Sequence, residues 1–241
     1  MNLLEVRNLT KHFGGVRAVN NLSFTVKEKS ITALIGPNGC GKTTAFNLIT
    51  GFENKDAGEI LYKQQPLTTK PHRVAQQLAR TFQHPRLFSN LTVYEHLQLA
   101  LNKDDDKLIS LFSTETDWKK QAQQALETVG FNNTLTTKAQ DLSYGQKKLL
   151  ELALAIAKNT DIILLDEPVA GVNPALREQI QRVLKTLQEQ NKTILLIEHD
   201  MNFVSTVADT VHVMNQGSLL KTGTPKQIQE DKEVLEAYLG A

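Results

Sequence analysis

Gly36-Pro37-Asn38-Gly39-Cys40-Gly41-Lys42-Thr43 is the stretch on which the rest of the chain turns. It fits G-x-x-x-x-G-K-[ST], a glycine-rich loop that wraps phosphate. The apolar run Ile31-Thr32-Ala33-Leu34-Ile35 leads into it and reads as a buried strand. Behind it, Thr44-Ala45-Phe46-Asn47-Leu48-Ile49-Thr50 carries apolar residues at helical spacing, and Gly51 closes it. Strand, glycine loop and helix in that order separate a nucleotide-binding loop from a chance turn. The chemistry accounts for the residue types. Gly36, Gly39 and Gly41 let backbone N–H groups converge on an anion, and the helix behind them adds its positive end. Lys42 supplies a mobile cation for the β- and γ-phosphates of a triphosphate, and the Thr43 hydroxyl is suited to Mg2+.

The 241 residues suit one large α/β domain, or a domain with a small lobe, and a hydrophobic content of 40% is enough for a core. Net charge is +1, from 27 Lys and Arg against 26 Asp and Glu, so there is no electrostatic case for nucleic acid as a partner. The single Cys40 excludes an internal disulfide and fits a reducing compartment. The N-terminus reaches Glu5 too early for a signal peptide. No apolar run of about 18 residues occurs, so a second chain is expected to supply any membrane span.

Along the chain, Leu3 to Arg7 and Leu22 to Val26 are predicted to pair antiparallel around a loop at Lys11 to Gly15, with Ile60 to Tyr62 as a third strand. Pro66 to Pro71 reads as a turn-rich connector, Arg73 to Arg80 as weakly helical, and only residues 81–82 as strand-like between about 75 and 157. Helices are expected at Val93 to Leu101, led in by Leu91-Thr92, at Asp117 to Val129, and from Gly145 to Lys158 behind an N-cap at Ser143. Asn102 to Lys107 reads as a charged link. Strands at Ile162 to Leu165 and Thr193 to Ile197 flank a helix from Pro174 to Gln190. A hairpin at 211–221 and a last helix from Pro225 to Leu239 complete the chain. This is an α/β pattern: a mostly parallel sheet, an antiparallel β subdomain and a helical insertion. One domain is expected, with a core at 1–80 and 160–241 and a helical subdomain at 84–157.

Hydrolysis needs a metal anchor and a water activator beside the loop. Ile162-Ile163-Leu164-Leu165-Asp166-Glu167 reads as a buried strand next to the loop's own strand, ending in both. Asp166 is placed to hold Mg2+, and Glu167 to polarise a water towards the γ-phosphate. His199, after the strand at 193–197, is placed to touch the γ-phosphate or orient that water, although a lone histidine after a strand is more often structural.

Leu142-Ser143-Tyr144-Gly145-Gln146 resembles the LSGGQ signature of the ABC transporter ATPases. Phosphate loop, signature, hydrophobic-Asp-Glu and histidine stand in that family's order and spacing over essentially the whole chain. The resemblance implies an ATPase of that fold, with ATP and Mg2+. Phe13 then stacks on adenine, Gln83 senses Mg2+ and the attacking water, Ala170 to Asn173 form the D-loop, and His199 is the switch histidine. The implied nucleotide contacts are Phe13, Gly36, Pro37, Asn38, Gly39, Cys40, Gly41, Lys42, Thr43 and Thr44, with Ser143, Gly145 and Gln146. Thr43, Gln83 and Asp166 are the implied metal residues, and Lys42, Gln83, Glu167 and His199 the catalytic ones.

Family members pair head to tail, so one phosphate loop and one signature imply half of a dimer, with a second copy or a sister ATPase. Tyr144 for the first signature glycine and Asn173 for the usual D-loop aspartate are departures that also occur among branched-chain amino-acid importers. Phe13 to Val19, Arg80-Thr81-Phe82-Gln83, Pro85-Arg86-Leu87-Phe88, Ile197 to Met201 and Glu236 to Gly240 look like that subgroup's ATPases. Urea importers and the lipopolysaccharide-export ATPase are next in likeness. The resemblance implies a peripheral subunit on the cytoplasmic face of the inner membrane. Permease subunits would dock near 84–97, with exposed Leu87, Phe88 and Leu91 as anchors, and a substrate-binding protein would act indirectly. A soluble ABC ATPase of DNA repair would need a long coiled coil, and a ribosome-acting one two phosphate loops in one chain. A P-loop kinase is the third alternative, and the signature and Glu167 argue against it. The cargo is not encoded in this chain.

Overall fold

The computed structural model describes residues 1–68, 70–101 and 115–239. Two long strands open the chain, β1 (Asn2–Phe13) and β2 (Val16–Lys27). β3 (Ile31–Ile35) runs into the glycine loop and α1 (Lys42–Ile49) leaves it. β4 (Ala57–Tyr62), β5 (Gln65–Pro66), α2 (Pro71–Gln77) and β6 (Leu78–Arg80) come next. Then come α3 (Val93–Leu101), α4 (Glu115–Val129) and α5 (Tyr144–Ala157). β7 (Ile162–Asp166), α6 (Pro174–Glu189), β8 (Thr193–Ile197) and α7 (Met201–Val207) alternate after that. The hairpin β9 (Thr210–Asn215) and β10 (Ser218–Gly223), then α8 (Pro225–Gln229) and α9 (Lys232–Leu239), end the chain.

The chain forms two compact units. The first takes residues 1–80, 161–167 and 184 onward, and holds every strand named above. Its six-stranded sheet runs β10-β9-β3-β8-β7-β6, parallel from β9 to β6, with β10 antiparallel at one edge. β3, β7 and β8 are buried at every position, the mark of strands covered on both faces. A four-stranded antiparallel sheet runs β2-β1-β4-β5. Phe46 and Ile49 of α1 share one buried cluster with Leu4, Val6 and Phe24 of the antiparallel sheet and Leu34, Leu164 and Leu195 of the parallel one. That helix is therefore fixed on both sides, and burying Phe46 alone is worth roughly 1.5–3 kcal/mol. The register puts Leu34, Ile197 and Asp166 level across β3, β8 and β7. The segments leaving these three strands thus emerge at the same carboxyl edge, where open sheets bind ligands.

The second unit takes residues 81–160 and 168–183. Here α5 packs on α3 and α4. Ala122, Ala125, Leu126 and Val129 line the buried face of α4 at helical spacing.

Several expectations are corrected. β7 is not beside β3, because β8 pairs with both. An apolar run encodes burial on both faces, not a place in the sheet order. Lys11 to Phe13 are strand, and the turn is only Gly14-Gly15, because Phe13 pairs directly with Val16. The helix at 73–80 starts earlier and stops at Gln77. Leu78–Arg80 form a strand against β7, and residues 81–82 do not. Buried Leu78 and Ala79 have a sheet edge to cover, which local propensity does not express. The final helix is two: the Asp231 carboxylate accepts the Val234 N–H at 3.1 Å and pairs with Lys221 at 2.9 Å, starting α9 afresh. α7 is an addition to the expected elements, and its signal is Asp200, whose carboxylate caps the Phe203 N–H at 3.0 Å. Asn102 to Lys107 lie outside the described residues.

Candidate functional site

The loop after β3 is shaped by what its glycines touch. A Cβ on Gly36 would run into the Met214 carbonyl oxygen, and one on Gly41 into that of Ala18. Both have positive φ, 150° and 103°, so only glycine fits. Gly41 begins α1 with no side-chain cap, which leaves the first amides of α1 for an anion. Lys42 folds back over the loop, its ammonium donating to the carbonyls of Gly36 at 2.7 Å and Pro37 at 2.9 Å. The cation is thus stored inside the cradle it would serve. Thr43 is exposed and Thr44 half-buried, while Asn38 and Gly39 face solvent. Cys40 points into the core with its thiol pushed up by burial, so it shapes the loop from beneath and is a poor nucleophile. Glu236 and Ala237 of α9 share the wall of a cavity of about 390 Å³ with Pro37 to Cys40, a neighbourhood the sequence did not reveal.

Asp166 is buried at the end of β7 and paired with Arg80 of β6 at 3.1 Å. The same guanidinium donates to Asn47 Oδ1 at 2.9 Å and Thr50 Oγ1 at 2.8 Å, at the far end of the loop helix. Arg80 therefore ties α1 to the carboxylate expected to hold metal, and sequence reasoning assigned it no such part. Glu167 has a left-handed backbone, φ 48°, although Pro168 comes next in the chain. A non-glycine residue there is strained by about 1–3 kcal/mol, and such strain gathers at functional sites. Its N–H donates to the Ile197 carbonyl at 3.0 Å, which locks β7 to β8 at their ends. His199 is exposed, its Nδ1 3.9 Å from Glu167 Oε2. The first unit thus brings Lys42, Thr43, Asp166, Glu167 and His199 to one sheet edge. Phe13 ends β1, 46% exposed, with the Lys11 ammonium 5.1 Å from its ring centre.

Gln83, Ser143, Gly145 and Gln146 lie in the second unit. Ser143 is exposed and caps α5: its Oγ accepts the Gln146 N–H at 3.3 Å, and Gln146 Oε1 accepts the Ser143 N–H at 2.7 Å. Accepting that bond leaves the serine hydroxyl its proton to donate. Gln146 also donates to Asn133 Oδ1 at 2.8 Å, so its side chain is committed to the helix tip. The departures in the signature and in the D-loop both have structural work. The Tyr144 ring lies against Gly171, and its hydroxyl donates to the Ala170 carbonyl at 3.5 Å. Asn173 Oδ1 accepts the Leu176 N–H at 2.9 Å and so caps α6. Gln83 is exposed, and its backbone carbonyl accepts from Lys148 at 2.7 Å. Of the three expected docking anchors only Phe88 is exposed, at 67%; Leu87 and Leu91 are half-buried within the helical unit.

Among the described residues no three His, Cys, Asp or Glu side chains gather as a metal cage. One carboxylate and one hydroxyl fit Mg2+, which takes few protein ligands and the rest from phosphates and water. No helix of the described residues is long and apolar enough to cross a membrane.

Residues 19–170 match the family described as ABC transporter, and residues 222–241 match one described as branched-chain amino acid ATP-binding cassette transporter. The high-affinity branched-chain amino acid transport ATP-binding protein BraF of Pseudomonas aeruginosa is 39% identical, over 99% of this chain and 98% of that one. The corresponding LivG protein of Escherichia coli is 39% identical with the same coverage. A solved nucleotide-free ATP-binding cassette from an ABC transporter superposes with a TM-score of 0.88 at 33% identity, covering 100% of both chains.

Proposed function

The chain belongs to the ABC transporter family, and on that premise we propose that it is the ATP-hydrolysing subunit of a membrane importer of branched-chain amino acids. The observation that carries this reading is the shared sheet edge from which the loop of Lys42 and Thr43, the Asp166-Glu167 pair and His199 all emerge. The chain binds ATP. Backbone amides of residues 36–43 and the start of α1 receive the phosphates, and Phe13 offers an exposed ring to adenine. Lys42 exchanges two carbonyl partners for phosphate oxygens. Thr43 and Asp166 would hold Mg2+, and the part proposed for Gln83 is to sense that ion and the attacking water. A bound Mg2+ supplies charge neutralisation on the β- and γ-phosphate oxygens. Glu167 takes the proton of the attacking water, and His199 orients that water or the γ-phosphate.

Ser143 and the α5 tip act on the nucleotide of a second ATPase subunit, either another copy or a sister. Their exposure supports this, since a capped helix tip with a free-facing serine suits an anion brought by a partner. ATP then holds two subunits together and hydrolysis releases them. The segment 84–97 receives the permease, which places the chain as a peripheral subunit at the cytoplasmic face of the inner membrane. A substrate-binding protein acts further along the same assembly, and nucleic acid has no part.

Glu167→Gln tests this. It keeps phosphate and metal contacts but removes the proton acceptor, so gel filtration in saturating MgATP should show a dimer with phosphate release lost. A monomer under those conditions overturns the reading. Lys42→Ala should lose the rise in melting temperature that MgATP gives the unaltered chain.

A further inference from the structure

Two charged side chains of α5 are buried with no part in the nucleotide site: Lys148, 5% exposed, and Glu151, 7% exposed. Lysine and glutamate are almost never buried this far unless partnered. Here the partners include backbone groups of a single short segment. Lys148 Nζ donates to the Gln83 carbonyl at 2.7 Å. Glu151 Oε1 accepts the Phe82 N–H at 3.1 Å and the Arg86 N–H at 3.4 Å. The Arg86 guanidinium stacks on the Phe82 ring at 4.0 Å and closes the segment on itself. The two residues stand three apart, on one face of α5, one to two turns beyond its Ser143 cap. Of the backbone groups a lysine ammonium can hold only a carbonyl and a carboxylate only an N–H, so this pair fixes the backbone on both sides of the Gln83 side chain and leaves that side chain exposed.

We propose that Lys148 and Glu151 are positioning residues for Gln83, clamping residues 82–86 to the helix tipped by Ser143 so that glutamine and serine move as one piece. The proposal rests on the reading that Gln83 meets the metal and the attacking water. Burial pushes the Glu151 carboxyl up to about 7, with the N–H groups of Phe82 and Arg86, then the charges of Lys148 and Arg86, acting against that rise. Holding a carboxylate where burial opposes its charge is what a residue kept for its acceptor geometry does, since an apolar residue would fill the same space.

The test uses the full chain and its Glu151→Leu, Lys148→Met and Lys148→Arg variants. Amide hydrogen exchange over residues 82–86 should quicken in Glu151→Leu and Lys148→Met. ATPase kcat should fall about 10-fold in each while KM for ATP stays within about twofold, and the double variant should be no worse than either single one. Lys148→Arg should restore at least half of kcat. If Glu151→Leu does not fold, the contrast of Lys148→Met with Lys148→Arg decides the same question. Unchanged exchange in the variants, or quickened exchange with kcat unchanged, overturns the clamp. If the unaltered chain shows no MgATP-dependent rise in melting temperature, the functional reading falls, and the exchange data still decide whether the clamp holds this segment.

Discussion

A single guanidinium shows how much the site depends on residues outside its motifs. Arg80 bridges Asp166 to Asn47 and Thr50, with its side chain 6% exposed. Replacing one member of a buried pair leaves the other charge in a poor solvent, which costs about 3–5 kcal/mol. Arg80→Met should therefore lower the unfolding free energy of the nucleotide-free chain by that order in urea titration. A loss under about 1 kcal/mol would mean that Asp166 does not rely on Arg80. MgATP should recover more stability in the variant than in the unaltered chain, because Asp166 then has another cation beside it. Lys42, Thr43, Asp166 and Glu167 are legible in the sequence because phosphate chemistry fixes their spacing. Arg80 is not, because its carboxylate lies 86 residues away and no local pattern links the two. The left-handed φ of Glu167 is likewise invisible in the sequence, since glutamate before proline gives no hint of it.

At the scale of elements, α5 carries a penalty that titration can expose. The Glu151 carboxyl rises to about 7 on folding from an ordinary 4.5, chiefly by burial. A carboxyl raised in the native state binds more protons there than in the unfolded chain. Its stabilising effect is complete below about pH 4.5 and is lost as pH climbs through 7. The shift corresponds to about 3 kcal/mol. Glu151→Gln, which does not titrate, should thus gain stability relative to the unaltered chain by up to that amount between pH 5 and pH 8. Urea midpoints at the two pH values measure it, and a constant difference would refute the shift. The start of α5 is readable from sequence because Ser143 and Gln146 form a capping box three residues apart. The single run expected at 225–239 fails for the same kind of reason, since Asp231 restarts the helix by capping Val234. Short elements such as β6 and α7 escape, because three or seven residues hold too little period to weigh against tertiary contacts.

For the molecule as a whole, no described helix is long and apolar enough to cross a membrane, and the proposed function asks for a surface that grips a permease. Phe88 offers the clearest anchor there. Its ring is exposed while its N–H donates to His96 Nε2 at 2.9 Å, and Nδ1 of that buried histidine donates to the Thr92 carbonyl at 2.8 Å. Those two partners fix the tautomer. The histidine sets the loop and leaves the phenyl ring facing solvent, which is costly for an isolated chain and useful for a partnered one. The half-burial of Leu87 and Leu91 narrows the expected three anchors to this one. Sequence marks them alike, because an apolar residue in a loop does not announce which side of it will be covered. Phe88→Asp changes a solvent-facing side chain, so stability should shift by no more than about 0.5 kcal/mol. Basal ATPase of the isolated chain should stay within about twofold. In vesicles holding the complete transporter, uptake should fall at least about 10-fold, because a carboxylate cannot enter an apolar pocket without a large desolvation cost. Unchanged uptake would place the permease contact elsewhere than 84–97, and a parallel fall in basal ATPase would assign Phe88 to the fold of the helical unit.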